Sequence, residues 1–107
     1  MKMNKLIIDA AKEKIFLMII SNDLIYNVSH ENSKTNYEKL TILINDFLHS
    51  KNMKIQEISY IYVNRGPGSF AGIRNSLSVV KAINLALKID YYSYSIRDFN
   101  QNDLKYE

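Results

Sequence analysis

All three glycines of the 107-residue chain, and its only proline, fall within residues 66–72, inside the stretch N-R-G-P-G-S-F-A-G-I-R from Asn64 to Arg74. An apolar, β-branched and aromatic run (I-S-Y-I-Y-V, 58–63) precedes it and a long helical pattern follows, so the stretch reads as a strand-to-helix turn. Pro67 fixes one φ angle and removes a donor, while Gly66, Gly68 and Gly72 permit dihedrals closed to other residues. Ser69 is placed as the N-cap of the helix, its hydroxyl facing the free N–H groups of the first turn. A glycine-lined helix start of this kind suits a phosphate cradle or a partner-docking loop. It equally suits a tight connection in which any side chain would clash. The Gly-Lys-Ser/Thr of a P-loop is missing, and the spacing is not that of the dinucleotide fingerprint.

The length is that of one domain. No cysteine is present, which removes disulfides, thiolate metal sites and cysteine nucleophiles together and makes an intracellular setting the simpler expectation. No apolar run reaches the ~18 residues of a membrane span, and Asp9 interrupts the N-terminal apolar run before a signal-peptide core forms. The expectation is a soluble, cytoplasmic protein. A formal charge of +3 permits nucleic-acid contact without arguing for it, because no basic run stands out.

Taken in order, residues 5–9 and 15–20 read as two mostly buried strands in a hairpin, and residues 24–28, after the turn-rich Ser-Asn-Asp, as a third. Thr35 followed by Glu38 has the capping-box pattern and starts a helix ending near Asn52, with Leu40, Leu43, Ile44, Phe47 and Leu48 on its apolar arc. Residues 58–63 form the next strand. A helix over 69–88 follows, with Phe70, Ile73, Leu77, Val80, Ile83 and Leu87 as its apolar face and Arg74, Lys81 and Lys88 along one edge. Its third side, Asn75, Ser78, Ala82 and Ala86, consists of small residues and is able to receive another helix. A last strand at 91–95 gives the order β-β-β-α-β-α-β. The fold class is therefore α/β, a mixed five-stranded sheet with helical cover over residues 1–96, ending in a polar tail from Arg97 to Glu107.

The catalytic inventory is nearly empty. Asp9 closes the first strand, but Glu13 and Glu57 sit in no motif that completes a carboxylate cluster. His30 and His49 stand alone, and Ser69 has neither an elbow context nor a placed partner. No cofactor and no metal are expected.

The segment V-N-R-G-P-G-S-F-A-G-I-R, the helix after it and the opening L-I-I-D strand resemble the TsaB family, formerly YeaZ, glycoprotease-like members of the actin-like ATPase superfamily. Almost the whole chain is covered, against the first domain of the family. That resemblance implies a ribonuclease-H-like or actin-like ATPase domain. It also implies a non-catalytic scaffold for tRNA threonylcarbamoyladenosine modification, which docks the catalytic paralogue TsaD, works with TsaE, touches tRNA only indirectly and forms a homodimer when alone. The family packs two helices of this domain against the partner. Carried over, Thr35, Leu43 and Phe47, the turn residues Gly66, Pro67, Gly68, Ser69 and Phe70, and Arg74, Asn75, Ser78 and Ala82 are the expected interface. The chain departs from the family in Asn64 for a usual Gly, Ala71 for Thr, Ala10-Ala11 for Thr-Ser, and Thr35 where His is common. Relatives also continue into a second domain. A reading from a different class is a small phosphate- or nucleotide-binding enzyme using the turn and Asp9; a third, a ribonuclease-H-like nuclease, needs carboxylates that the chain does not cluster.

Overall fold

The computed structural model describes residues 3–95 and Arg97. The alternating and continuous apolar runs become five strands: β1 (Asn4–Asp9), β2 (Lys14–Ser21), β3 (Leu24–Glu31), β4 (Tyr60–Asn64) and β5 (Asp90–Tyr94). They lie in the order β3-β2-β1-β4-β5. The first three form an antiparallel meander; β4 pairs parallel with β1, and β5 pairs parallel with β4. The β2–β3 turn is two residues long, with Asn22 in the left-handed region at φ 56°. This is the expected mixed sheet. The expected tail lies, Arg97 apart, outside the described residues.

The first helix differs from the expectation. It is two segments, α1 (Lys34–Glu38) and α2 (Leu40–Ser50), separated at Lys39. Ser33, not Thr35, is the N-cap and accepts from the Asn36 N–H at 3.2 Å, while the Asn36 side chain donates to the Glu31 carbonyl at 2.8 Å. These two bonds start the helix ahead of Thr35, so Glu38 lies in no capping box and faces Lys34 instead, at 3.9 Å. Strand β4 also begins later than expected. A 3₁₀ turn at Ile55–Glu57 takes up the approach, with the Glu57 carboxylate accepting from the Lys54 N–H at 2.7 Å.

The core lies between one face of the sheet and the helices. Leu6, Ile8, Ile15, Leu17, Ile19, Ile61 and Val63 meet Leu40, Leu43, Ile44, Phe47 and Leu48 of α2 and Val80 of α3 (Phe70–Leu87). The buried residues of α3 are Gly72, Ser76 and Val80, and Phe70 is 75% exposed. The expected apolar face of this helix is thus rotated: small residues at 72 and 76 bring its backbone close to the sheet, while Leu77, Val79 and Ile83 pack from the side. The alternate strand residues, among them Ile7, Met18, Ile20, Tyr60, Tyr62 and Tyr92, point to the opposite face. Among the described residues no helix covers them.

Candidate functional site

Two places gather the residues singled out in the sequence. The first is the turn between β4 and α3. Gly66 has φ +107° and is joined to Pro67 by a cis peptide bond. A Cβ on Gly68 would lie 2.1 Å from the Ala11 carbonyl oxygen, and one on Gly72 would lie 2.1 Å from that of Ala10. The glycines therefore let the turn press directly onto the backbone that leaves β1. The Ser69 N–H donates to the Ala11 carbonyl at 2.7 Å, and the Gly72 N–H to Ser69 Oγ at 3.2 Å, which makes Ser69 the expected N-cap. Two amides that a phosphate would need are thereby already bonded, and the turn's geometry is that of a close packing contact.

Asn64 ties this turn to β1, a role the sequence did not disclose. Only 3% exposed, it accepts from the Gly66 N–H at 2.8 Å and donates to Asp9 Oδ1 at 3.1 Å. Asp9 Oδ1 also accepts from the Ala11 N–H at 3.1 Å. Asp9 thus caps the end of its own strand. Asn64→Ala leaves the Gly66 N–H buried without its acceptor, and a loss of about 1–3 kcal/mol in folding stability is expected by urea unfolding. An Asn64→Asp variant, which keeps the acceptor but loses the donor and sets a second carboxylate beside Asp9, is expected to fall as well.

Next to Asp9, burial and that carboxylate's charge push the Tyr94 phenol up to about 12. A raised folded-state value means the contribution is complete below pH 10, where tyrosine in an unfolded chain ionises, and is lost as pH climbs through about 12. In a spectroscopic titration of tyrosinate, Tyr94→Phe is expected to remove the last component to ionise. A late component that persists in the variant assigns it to one of the other seven tyrosines.

The second place is the outer surface of the helical layer. Between α1 and α2 on one side and α3 on the other runs an open, mostly apolar groove of about 490 Å³, walled by Tyr37, Thr41 and Asn45 and by Asn75, Ser78, Ala82 and Ala86. The small-residue side of α3 thus lines the groove, as its spacing indicated. Beside it, Ile42 is 56% and Leu85 73% exposed, large apolar side chains in water on adjacent helices. Thr35, Ser78 and Ala82 are exposed, and Asn75 donates to the Ala71 carbonyl at 2.8 Å. Leu43 and Phe47 are instead core residues, 8% and 6% exposed. From α2 the groove is lined by Leu40, Thr41, Ile44 and Asn45. Phe70 and Arg74 stand together at the start of α3, the guanidinium 5.4 Å from the ring centroid, beside the exposed Pro67 and Gly68. Arg74, Lys81 and Lys88 form an exposed edge. Among the described residues, no three His, Asp or Glu side chains come together as a metal site, and no helix is long and apolar enough to cross a membrane.

A sequence model of the family described as TsaD, tRNA N6-adenosine threonylcarbamoyltransferase, matches residues 27–95. A relative from Buchnera aphidicola subsp. Schizaphis graminum, named tRNA threonylcarbamoyladenosine biosynthesis protein TsaB, is 27% identical over 90 residues, 84% of this chain and 43% of the relative. Its namesake from Buchnera aphidicola subsp. Baizongia pistaciae is 32% identical over 66 residues, 62% of this chain and 30% of the relative. The chain spans less than half the length of these curated relatives. Among solved structures, YeaZ from Pseudomonas aeruginosa superposes with a TM-score of 0.79 at 20% identity, over 87% of this chain and 44% of that one. T. thermophilus RuvC, in complex with a Holliday junction substrate, superposes with a TM-score of 0.58 at 11% identity, over 87% and 64%. The two structures bear on the fold, which is ribonuclease-H-like.

Proposed function

The chain belongs to the TsaD-type family, in its TsaB/YeaZ branch, and on that footing we propose that it serves tRNA threonylcarbamoyladenosine biosynthesis as a non-catalytic docking subunit. Its partner in this reading is the TsaD-like catalytic paralogue, with TsaE joining the assembly in the cytoplasm and tRNA contacted only indirectly. The observation that carries the proposal is the apolar groove between α2 and α3, lined by Ser78, Ala82 and Ala86 and flanked by exposed Ile42 and Leu85. Small side chains let a partner helix approach closely, and apolar neighbours reward the approach with buried area. The same groove receives a second copy of the chain when the paralogue is absent. A phosphate-binding enzyme is less well supported, because the Ser69 and Gly72 amides are already engaged.

The test is size-exclusion chromatography with light scattering on the chain alone and mixed with the TsaD-like protein of the same source. A one-to-one complex is the expected result. A chain that ignores that protein at tens of micromolar refutes docking, and the family membership then reflects descent alone.

A further inference from the structure

Strand β3 is one edge of the sheet, and among the described residues nothing pairs with its outer side. Its register with β2 is unbroken over eight residues, and beyond its end the Asn32 N–H donates to the Glu13 carbonyl at 3.2 Å. By the alternation of an antiparallel ladder, Leu24, Tyr26, Val28 and His30 turn their N–H and C=O groups toward β2, and Ile25, Asn27, Ser29 and Glu31 turn theirs outward. The Glu31 carbonyl is occupied, accepting from the Ser33 N–H at 3.0 Å and from the Asn36 side chain at 2.8 Å. Ile25, Asn27 and Ser29 thus each present a donor and an acceptor to the outside. The devices that keep such an edge apart, a lysine, a proline or a bulge, are missing from L-I-Y-N-V-S-H-E. Leu24 and Ile25 are instead 57% and 60% exposed.

We propose that β3 pairs antiparallel with β3 of a second copy of this chain, about a twofold axis at Asn27, so that two sheets run on as one. The pairing is independent of docking through the helical groove, which no β3 residue lines. With the axis at Asn27, that residue stands opposite its own copy and Ile25 stands opposite Ser29, so every outward donor and acceptor of these residues is matched. An axis at Val28 sets Ile25 against Glu31, whose carbonyl is already taken, and an axis at Tyr26 leaves the Ser29 groups unmatched. The side chains agree with the same register. On the helical face the half-buried Tyr26 meets Val28 of the second copy at a close, non-hydrogen-bonded position, an aromatic against a β-branched side chain, and symmetry repeats the contact. Exposed Leu24 comes against His30. The occupant is a second copy because its strand is already ordered, whereas a free peptide gives up backbone freedom with each residue it adds. Joining β3 to the opposite edge instead leaves both ends open, and β5 offers only five residues beginning with Asp90. The contact is smaller than the roughly 800 Å² a side of a standard interface, and Glu31 comes beside Asp23 of the second copy at each end. A dissociation constant on the order of 100 µM is therefore expected.

The test uses the full chain, which has no cysteine of its own. In Asn27→Cys the two new thiols face each other across the axis, with Cα atoms about 5.5 Å apart, inside the range a disulfide spans. In Ser29→Cys the two copies lie about 14 Å apart in the same register. Copper-catalysed air oxidation at about 100 µM protein is expected to join Asn27→Cys into a dimer at least about tenfold faster than Ser29→Cys, and equally fast when Ala82→Arg is also present. Sedimentation equilibrium then measures the pairing without a cross-link. Asn27→Pro, which removes an amide that the sheet itself does not use, is expected to weaken it at least about thirtyfold. Ile25→Lys, at an exposed position that folding does not depend on, is expected to weaken it about tenfold. Glu31→Gln is expected to tighten it about twofold, because it relieves Asp23 of the second copy. A chain that stays monomeric at about 1 mM, equal cross-linking through positions 27 and 29, or undiminished pairing by Ile25→Lys overturns the proposal. Pairing lost with Ala82→Arg alone moves the contact to the helical groove and overturns it too. Docking of the paralogue is scored separately, so either idea fails without the other.

Discussion

Gly72→Ala is expected to remove about 3 kcal/mol of folding stability, a large share of what a domain of this size has. Alanine is the better helix former by about 1 kcal/mol, so propensity alone points the other way. Position 72 is decided by space. The added Cβ would lie 2.1 Å from the Ala10 carbonyl oxygen, 3.1 Å from its carbon and 3.2 Å from Ser69 Oγ. The nearest obstacle is backbone at the end of a central strand, not a flexible side chain that swings away. Either α3 lifts from the sheet, uncovering Ser76 and Val80, or the end of β1 moves and breaks the bonds around Asp9. Gly68→Ala meets the Ala11 carbonyl oxygen at the same distance and is expected to behave alike. Urea unfolding followed by circular dichroism measures both. A Gly72→Ala protein with an unchanged midpoint and slope would show that the turn and β1 have room to part.

Ala82→Arg is expected to abolish pairing through the helical groove, weakening the complex by about a hundredfold or more while leaving the monomer folded. Ala82 is exposed and lies on α3 between Ser78 and Ala86, across from Thr41 and Asn45. Arginine is a good helix former, and an exposed substitution usually changes stability by less than about 0.5 kcal/mol. In the complex, however, its side chain occupies the space a partner helix needs and brings an unpaired charge into an apolar contact. A penalty of about 3 kcal/mol corresponds to the stated loss of affinity. Titration calorimetry against the TsaD-like protein gives the number. Lys81→Ala, one residue away on the exposed basic edge, serves as the control and is expected to change affinity little. Undiminished pairing by Ala82→Arg would place the interface elsewhere on the chain.

The strands and helices were legible because apolar runs of the right length alternate with turn chemistry, and the turn at 66–72 was legible because its special residues are concentrated. The start of the first helix was not. Thr35 and Glu38 have the right spacing, but Ser33 and the Asn36–Glu31 bond win the competition for the free amides. The buried side of α3 was misread for a related reason. Apolar periodicity gives no weight to Gly72 and Ser76, although small size is what lets a helix lie close to a sheet. The role of Asn64 depends on where the Gly66 N–H points, which only the turned chain defines. The family resemblance implies Leu43 and Phe47 as docking residues, whereas their place on the apolar arc suits the interior, where they lie. Continuous apolar runs such as Ile15 to Ile20 carry no alternation to separate one face from the other, so the more open face of the sheet is not marked in them.

The way Gly68 and Gly72 meet β1 also governs which positions are free to drift. Both glycines face carbonyl oxygens of Ala10 and Ala11, atoms that every amino acid at those two positions supplies. Substitution at 10 or 11 by another small residue leaves the contact intact, whereas the glycines have no substitute. Two adjoining segments thus inherit opposite tolerances from one interface: the strand's end is able to exchange hydroxyls for methyls over generations, and the turn pressed against it is held to its letters.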